Sequence, residues 1–347
     1  MKTDMRTRIV FWTTIQFCLG MLVGLNSGQA DESEFSSASP RQCDLTVRCE
    51  TGSSAANCGL YQDSCLPAAC DRCPTTNIIA FSGVDSFKGW PDALVSNFGV
   101  VNGLNFGTKL PGLGKYGIGG QFGASYGVYD WQGRVLDETD EVQEQIFITT
   151  GLFRRATENR PWNVGLAYDF MINNNFGFAS HEPFLGQWRG LIGYCLNARN
   201  EIGWWGAFSG RDDLQGDTQY RTVTHNNLYW HHNFCNGIDS HVWGGLPEND
   251  RLLENGSLYD FDFGGAVTIP VSCRAGLYGN FAYFSPSTSP GDFGLASAED
   301  AWQLGFGINF FLGGSSRNGS VAGRCWAPLL PTANNGNMVV DFDGFVT

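Results

Sequence analysis

Residues 302–312 read Trp302-Gln303-Leu304-Gly305-Phe306-Gly307-Ile308-Asn309-Phe310-Phe311-Leu312, an almost unbroken period-two alternation. Side chains of a strand point alternately to its two faces. One face of this stretch is therefore wholly apolar: Trp302, Leu304, Phe306, Ile308, Phe310 and Leu312. The other carries Gln303, Gly305, Gly307, Asn309 and Phe311. Large residues facing out and glycine or amide facing in suit a narrow, wet or tightly filled interior, as in a transmembrane barrel strand.

Working outward, eleven earlier segments read as strands, which with this one makes twelve: 78–87, 98–109, 115–129, 142–154, 161–172, 186–196, 200–209, 218–235, 238–246, 257–269, 273–285 and 300–312. In the fifth, Trp162, Val164, Leu166, Tyr168, Phe170 and Ile172 oppose Asn163, Gly165, Ala167 and Asp169; in the tenth, Tyr259, Phe261, Phe263, Val267 and Ile269 oppose Asp260, Asp262, Gly264 and Thr268. About eleven residues rise roughly 36 Å and, tilted, cross about 27 Å, the height of a barrel's apolar band. The segments between strands alternate short (110–114, 155–160, 197–199, 236–237, 270–272) and long (88–97, 130–141, 173–185, 210–217, 247–256, 286–299), as the two ends of such a barrel do. The expected fold is all-β: an up-and-down antiparallel transmembrane β-barrel of about 12 strands over 77–313. An even strand count predicts both termini on the short-turn side. A secreted soluble β-sandwich or barrel for adhesion or ligand binding is the alternative.

Composition agrees with many short strands, since the chain holds 46 Gly and is 14% aromatic but only 16% charged. Its formal charge of −13 argues against nucleic-acid binding. Residues 1–30 have a basic start, an uncharged run and a small-x-small end at Gly28-Gln29-Ala30, the pattern of a secretory signal. Export places the ten later cysteines, Cys43, Cys49, Cys58, Cys65, Cys70, Cys73, Cys195, Cys235, Cys273 and Cys325, in an oxidising compartment, where disulfides are favoured over metal or redox chemistry. Six of them crowd into 31–76. The others sit beside short turns or after the last strand, which predicts a Cys-rich collar at one end of the barrel. The tail 314–347 starts Gly/Ser-rich and ends apolar. A linker followed by a docking segment is the first reading of it, and a lumen plug the second.

Alternation names the lumen-facing candidates: Gln121, Asn163, Asp169, Gln187, Arg189, Glu201, Arg221, His225, Asp260, Asp262, Gln303 and Asn309. Such groups either satisfy one another and fill a small barrel or line a solute path, and filling is the first expectation. A two-residue turn at Asn236-Gly237 predicts that His232 faces His241 and Trp230 faces Trp243, which makes the two histidines a weak metal candidate without third and fourth ligands. The long segments hold acidic residues, among them Asp137, Glu138, Asp140, Glu141, Asp212, Asp213, Glu248, Asp250 and Glu254, whose field concentrates cations at one mouth. No Gly-x-Ser-x-Gly elbow, Walker loop or His-Glu-x-x-His helix occurs. Neither a catalytic set nor a cofactor is expected.

Gln303, Gly305, Ile308 and Phe310 resemble, in their spacing, the closing-strand signal of bacterial outer-membrane barrels. Phe81-Ser82-Gly83-Val84-Asp85, Gln145-x-Phe147-x-Thr149-x-Gly151-Leu152-Phe153-Arg154, Tyr168-Asp169-Phe170, Leu185-Gly186-Gln187-Trp188-Arg189-Gly190 and Asn227-Leu228-Tyr229-Trp230-His231 resemble an uncharacterised family of exported bacterial barrel-like proteins, over 78–312. The barrel and signal readings together imply the cell outer membrane, with its lipid and the barrel-assembly machinery as partners and small solutes or cations as cargo. The function expected is a narrow porin-like channel or a structural envelope protein.

Overall fold

In a computed structural model, residues 75–343 are described except 93–94, 131–141, 158–159, 235, 249–251, 253–257, 288–299, 317–320 and 322–325. The signal segment and, but for Thr75 and Thr76, the Cys-rich segment lie outside the described residues. So do all the disulfide candidates except Cys195 and Cys273.

Among the described residues fifteen strands form: β1 (Thr76–Lys88), β2 (Asn97–Lys109), β3 (Ile118–Tyr129), β4 (Gln143–Arg154), β5 (Trp162–Asn174), β6 (Phe184–Cys195), β7 (Asn200–Arg211), β8 (Asp213–Gln215), β9 (Thr218–Thr222), β10 (His225–Asn233), β11 (Asp239–Pro247), β12 (Tyr259–Pro270), β13 (Ala275–Pro286), β14 (Ala301–Phe311) and β15 (Val340–Phe342). All but β8, β9 and β15 join in one closed antiparallel barrel, which β1 and β14 seal with Gly83 opposite Gly307. Closure removes both sheet edges. The twelve barrel strands are those the alternation marked, with one exception. The segment 218–235 divides: β10 enters the barrel by pairing with β7, while β9 joins β8 and β15 in a small sheet at the long-loop mouth.

The alternation sorts as the sequence implies. On β14 Leu304, Phe306, Ile308 and Phe310 are exposed, whereas Gln303, Gly305 and Phe311 are buried. On β5 Trp162, Val164 and Leu166 are exposed and Asn163, Ala167 and Asp169 are fully buried. Leu152, Ile192, Ile202, Leu228, Val242 and Leu277 continue the apolar exterior around the wall.

Two local features displace the sequence register. Between β10 and β11 Phe234 donates its N–H to the Ile238 carbonyl, and Gly237, at φ 83°, donates to the Phe234 carbonyl. The closing pair is thus Phe234 with Ile238, and three residues turn, with glycine in the left-handed position that a three-residue hairpin favours. A one-residue change of register exchanges faces. His231, not His232, therefore lies opposite His241, and Tyr229, not Trp230, opposite Trp243. On β12 the pairing with β13 shifts between Tyr259 and Phe261. That irregularity turns Tyr259 inward, fully buried, and leaves Asp260 exposed rather than in the lumen.

Candidate functional site

The interior is occupied by the chain itself. After β14 the tail stays at the short-turn end, where Ser316 donates its N–H to the Cys273 carbonyl and Val321 to that of Ala198. Residues 326–342 then run through the lumen to the long-loop mouth. The docking expectation is corrected: the tail is a plug, and Phe342 lies at the end opposite to the one predicted. Seventeen residues can extend about 50 Å or more, ample for the crossing.

The plug is read by the wall level by level. Near the short turns, Arg155 donates from Nε to the Ala327 carbonyl at 2.8 Å and from Nη2 to the Pro328 carbonyl at 2.5 Å. Next, Gln121 receives the Leu329 and Leu330 amides on Oε1, at 3.0 and 3.2 Å, and donates from Nε2 to the Leu330 carbonyl. At mid-height the Thr332 amide reaches Asn105 Oδ1 at 2.7 Å, the Ala333 amide reaches Thr149 Oγ1 at 3.0 Å, and Arg189 Nη2 donates to the Pro331 carbonyl at 2.6 Å. Higher still, Asn335 donates to Gln145 and Gln187 to the Asn337 carbonyl. Inward glycines make the approach possible. A Cβ on Gly107 would lie 2.1 Å from the Trp326 carbonyl oxygen, and one on Gly123 2.2 Å from Thr332 Oγ1.

Asp169 and Arg189 anchor this ladder. Arg189 holds the carboxylate with two donors, Nε to Oδ2 at 2.5 Å and Nη2 to Oδ1 at 2.9 Å, while Thr149 and Gln187 donate to the same oxygens at 2.6 and 3.0 Å. Burying a charge is tolerable only with such pairing. Near the short turns Glu201 accepts from Tyr229 and contacts His231, whose Nε2 lies 2.7 Å from Asp239. Elsewhere on the wall His225 contacts Asp262 and Asn227, and Gln303 donates to Asp85.

Apolar packing reinforces the plug. Val321, Leu330 and the run Met338, Val339, Val340 and Phe342 belong to three successive buried clusters, all 5% exposed or less. Each such side chain contributes about 1.5–3 kcal/mol as an upper bound. At the long-loop mouth β15 adds to β9, and Phe342 lies stacked on Tyr220 with Trp90 and Phe178 around it. Trp90 also donates its Nε1–H to the Phe342 carbonyl at 3.2 Å.

Of the sequence candidates, Gln121, Asn163, Asp169, Gln187, Arg189, Glu201, His225, Asp262 and Gln303 are buried on the inner wall, and Asn309 faces inward half-buried. Arg221 is corrected: it lies on β9 at the mouth and pairs with Asp341 at 3.4 Å. The metal pairing of His232 with His241 is also corrected, since the two do not face each other, and among the described residues no group of three His, Cys, Asp or Glu is placed to hold a metal. Cys195 and Cys273 stand at the short-turn end. Asp212, Asp213 and Glu248 are at the long-loop end, and the other acidic residues named lie outside the described ones. Asn105, Gln145 and Thr149 were missed. Gln145 and Thr149 share the inner face of β4, so its alternation alone could have found them.

A profile described as a family of unknown function (DUF6666) matches residues 77–340. The chain belongs to this family. Its match covers the barrel and the plug as far as Val340, so the family unit extends into the tail, which the resemblance over 78–312 left outside. No curated protein matches. Similar solved structures include an outer-membrane channel from Pseudomonas putida F1, with 11% identity and a TM-score of 0.44 over 69% of this chain and 95% of that one. Outer membrane phospholipase A from Escherichia coli matches at 11% and 0.40 over 68% and 97%. The translocator domain of autotransporter NalP from Neisseria meningitidis matches at 8% and 0.38 over 69% and 89%.

Proposed function

We propose that this protein is an outer-membrane β-barrel held closed by its own tail, an envelope protein with a non-conducting resting state that becomes a narrow channel only when the tail leaves. The observation that carries this reading is the passage of residues 326–342 through the lumen, bonded to the wall at each level. The apolar exterior supports lipid as its surroundings, because around the wall, on β5, β10 and β14, Leu166, Leu228 and Phe306 are each more than half exposed and would otherwise face water. The barrel rule then puts the short turns in the periplasm and the long loops outside. No reaction is part of this reading; the wall groups that meet the plug, Gln121, Thr149 and Arg189 among them, are engaged by its backbone.

Fractionation of cells, with gel mobility measured before and after boiling, tests it. Recovery with the outer membrane and a heat-shifted band is expected; recovery as a soluble protein without detergent would overturn the proposal. Leu166→Arg is expected to lower stability in lipid by about 2–4 kcal/mol if the residue sits near the bilayer midplane. A urea titration in vesicles reads that loss, and a soluble protein would show almost none at an exposed site.

A further inference from the structure

The bonds between wall and plug go mainly to the plug's backbone. Arg155, Gln121, Arg189, Asn105, Thr149 and Gln187 all meet main-chain N–H or C=O groups, whereas side-chain contacts of this kind are made by Thr332 and Asn335. Gly107 likewise leaves room for main chain, whereas Gly123 makes room for the Thr332 side chain. Between Trp326 and Val340 the tail has no charged residue, and its first, Asp341, stands at the mouth against Arg221. A carboxylate added at Ala333 would be buried beside Asp169, which already holds Arg189.

We propose that the lumen is a binding site for extended, uncharged polypeptide, recognised through its backbone, and that the tail is its resident occupant. Another peptide of that class takes its place when the tail is released. This rests on the closed-barrel reading and names the ligand class of the same lumen. Main-chain recognition gives affinity with little regard to sequence, as in strand addition to a sheet, while Arg189, already held by Asp169, leaves an acidic residue at mid-lumen without a counter-ion.

The test uses the full chain with a protease site inserted between residues 317 and 320, refolded intact in vesicles and cleaved afterwards. Fluorescent peptides spanning 326–343 are then added: the native sequence, a form with Leu329→Val, Leu330→Val and Met338→Leu, a form N-methylated at Leu330, Thr332 and Ala333, and a form with Ala333→Asp. The first two are expected to bind within roughly tenfold of each other, because the exchanged side chains stay apolar. The N-methylated and Asp forms are expected to bind at least about 30-fold more weakly, from three lost hydrogen bonds or one buried charge. A second arm refolds uncleaved Phe342→Ala protein with excess native peptide, so that slow release of the resident tail does not hide uptake. Absence of uptake in both arms overturns the inference, as does binding that survives N-methylation but not the apolar exchanges. Conductance of the cleaved, tail-depleted vesicles is read in parallel: if they stay closed, the closed-by-tail reading fails on its own account.

Discussion

Arg189→Ala is expected to destabilise the folded barrel by about 3–5 kcal/mol, because it strands a carboxylate in the lumen. Asp169 is fully buried, and Arg189 supplies two of the four donors around it. The same guanidinium holds the Pro331 carbonyl, so the plug loosens as well. Arg189→Lys should recover only part of the loss, since one ammonium cannot reproduce the two-pronged geometry. Replacing the pair together, Asp169→Leu with Arg189→Met, should cost much less than Arg189→Ala, because no charge is left buried. Urea midpoints of the folded gel band in lipid measure all three. Equal loss in the single and double variants would mean that the pair matters for packing and not for charge.

Phe342→Ala is expected to release the tail while leaving the barrel closed on itself. Phe342 is fully buried, with ring centroids 5.8 Å from Tyr220, 5.6 Å from Phe178 and 6.1 Å from Trp90. Emptying such a site costs about 3–5 kcal/mol. Those rings belong to the mouth and not to the barrel ladder, so the loss falls on the local equilibrium that holds the plug. Amide exchange at Leu330, Thr332 and Ala333 should quicken at least about 100-fold where the tail opens locally. Amides within β4 and β5 should keep their protection. Uniform loss of protection would show instead that plug and barrel unfold as one unit.

The strands were legible because a closed wall with an apolar exterior and a packed interior forces alternation along each strand. Strands β5 and β14 carry large apolar groups on one face and small or polar groups on the other, and both were read correctly from residue type alone. The lumen candidates on them, Asn163, Asp169, Gln303 and Asn309, followed without further information. Errors arose where a single residue changes phase. The chain at 234–238 and the irregularity at Tyr259 each exchange faces, and neither alters the hydrophobic pattern enough to announce itself. Arg221 was misplaced because β9 continues the polar alternation of β10 across a break that has no glycine or proline. The plug was the hardest to see. Trp326 to Val340 is uncharged and carries Pro328 and Pro331, which suits an extended segment in many settings, and only the inward glycines of β2 and β3 hint that another segment must fit there.

The central claim is that the tail closes a membrane-spanning barrel, and single-channel conductance in planar bilayers tests it most directly. The full chain and a chain ending at Ser316 would be inserted separately under the same voltage. The full chain is expected to insert without steady conductance, and the shortened one to give discrete open steps. Steady current through the full chain, or a silent shortened chain shown to be inserted and folded, would contradict the account.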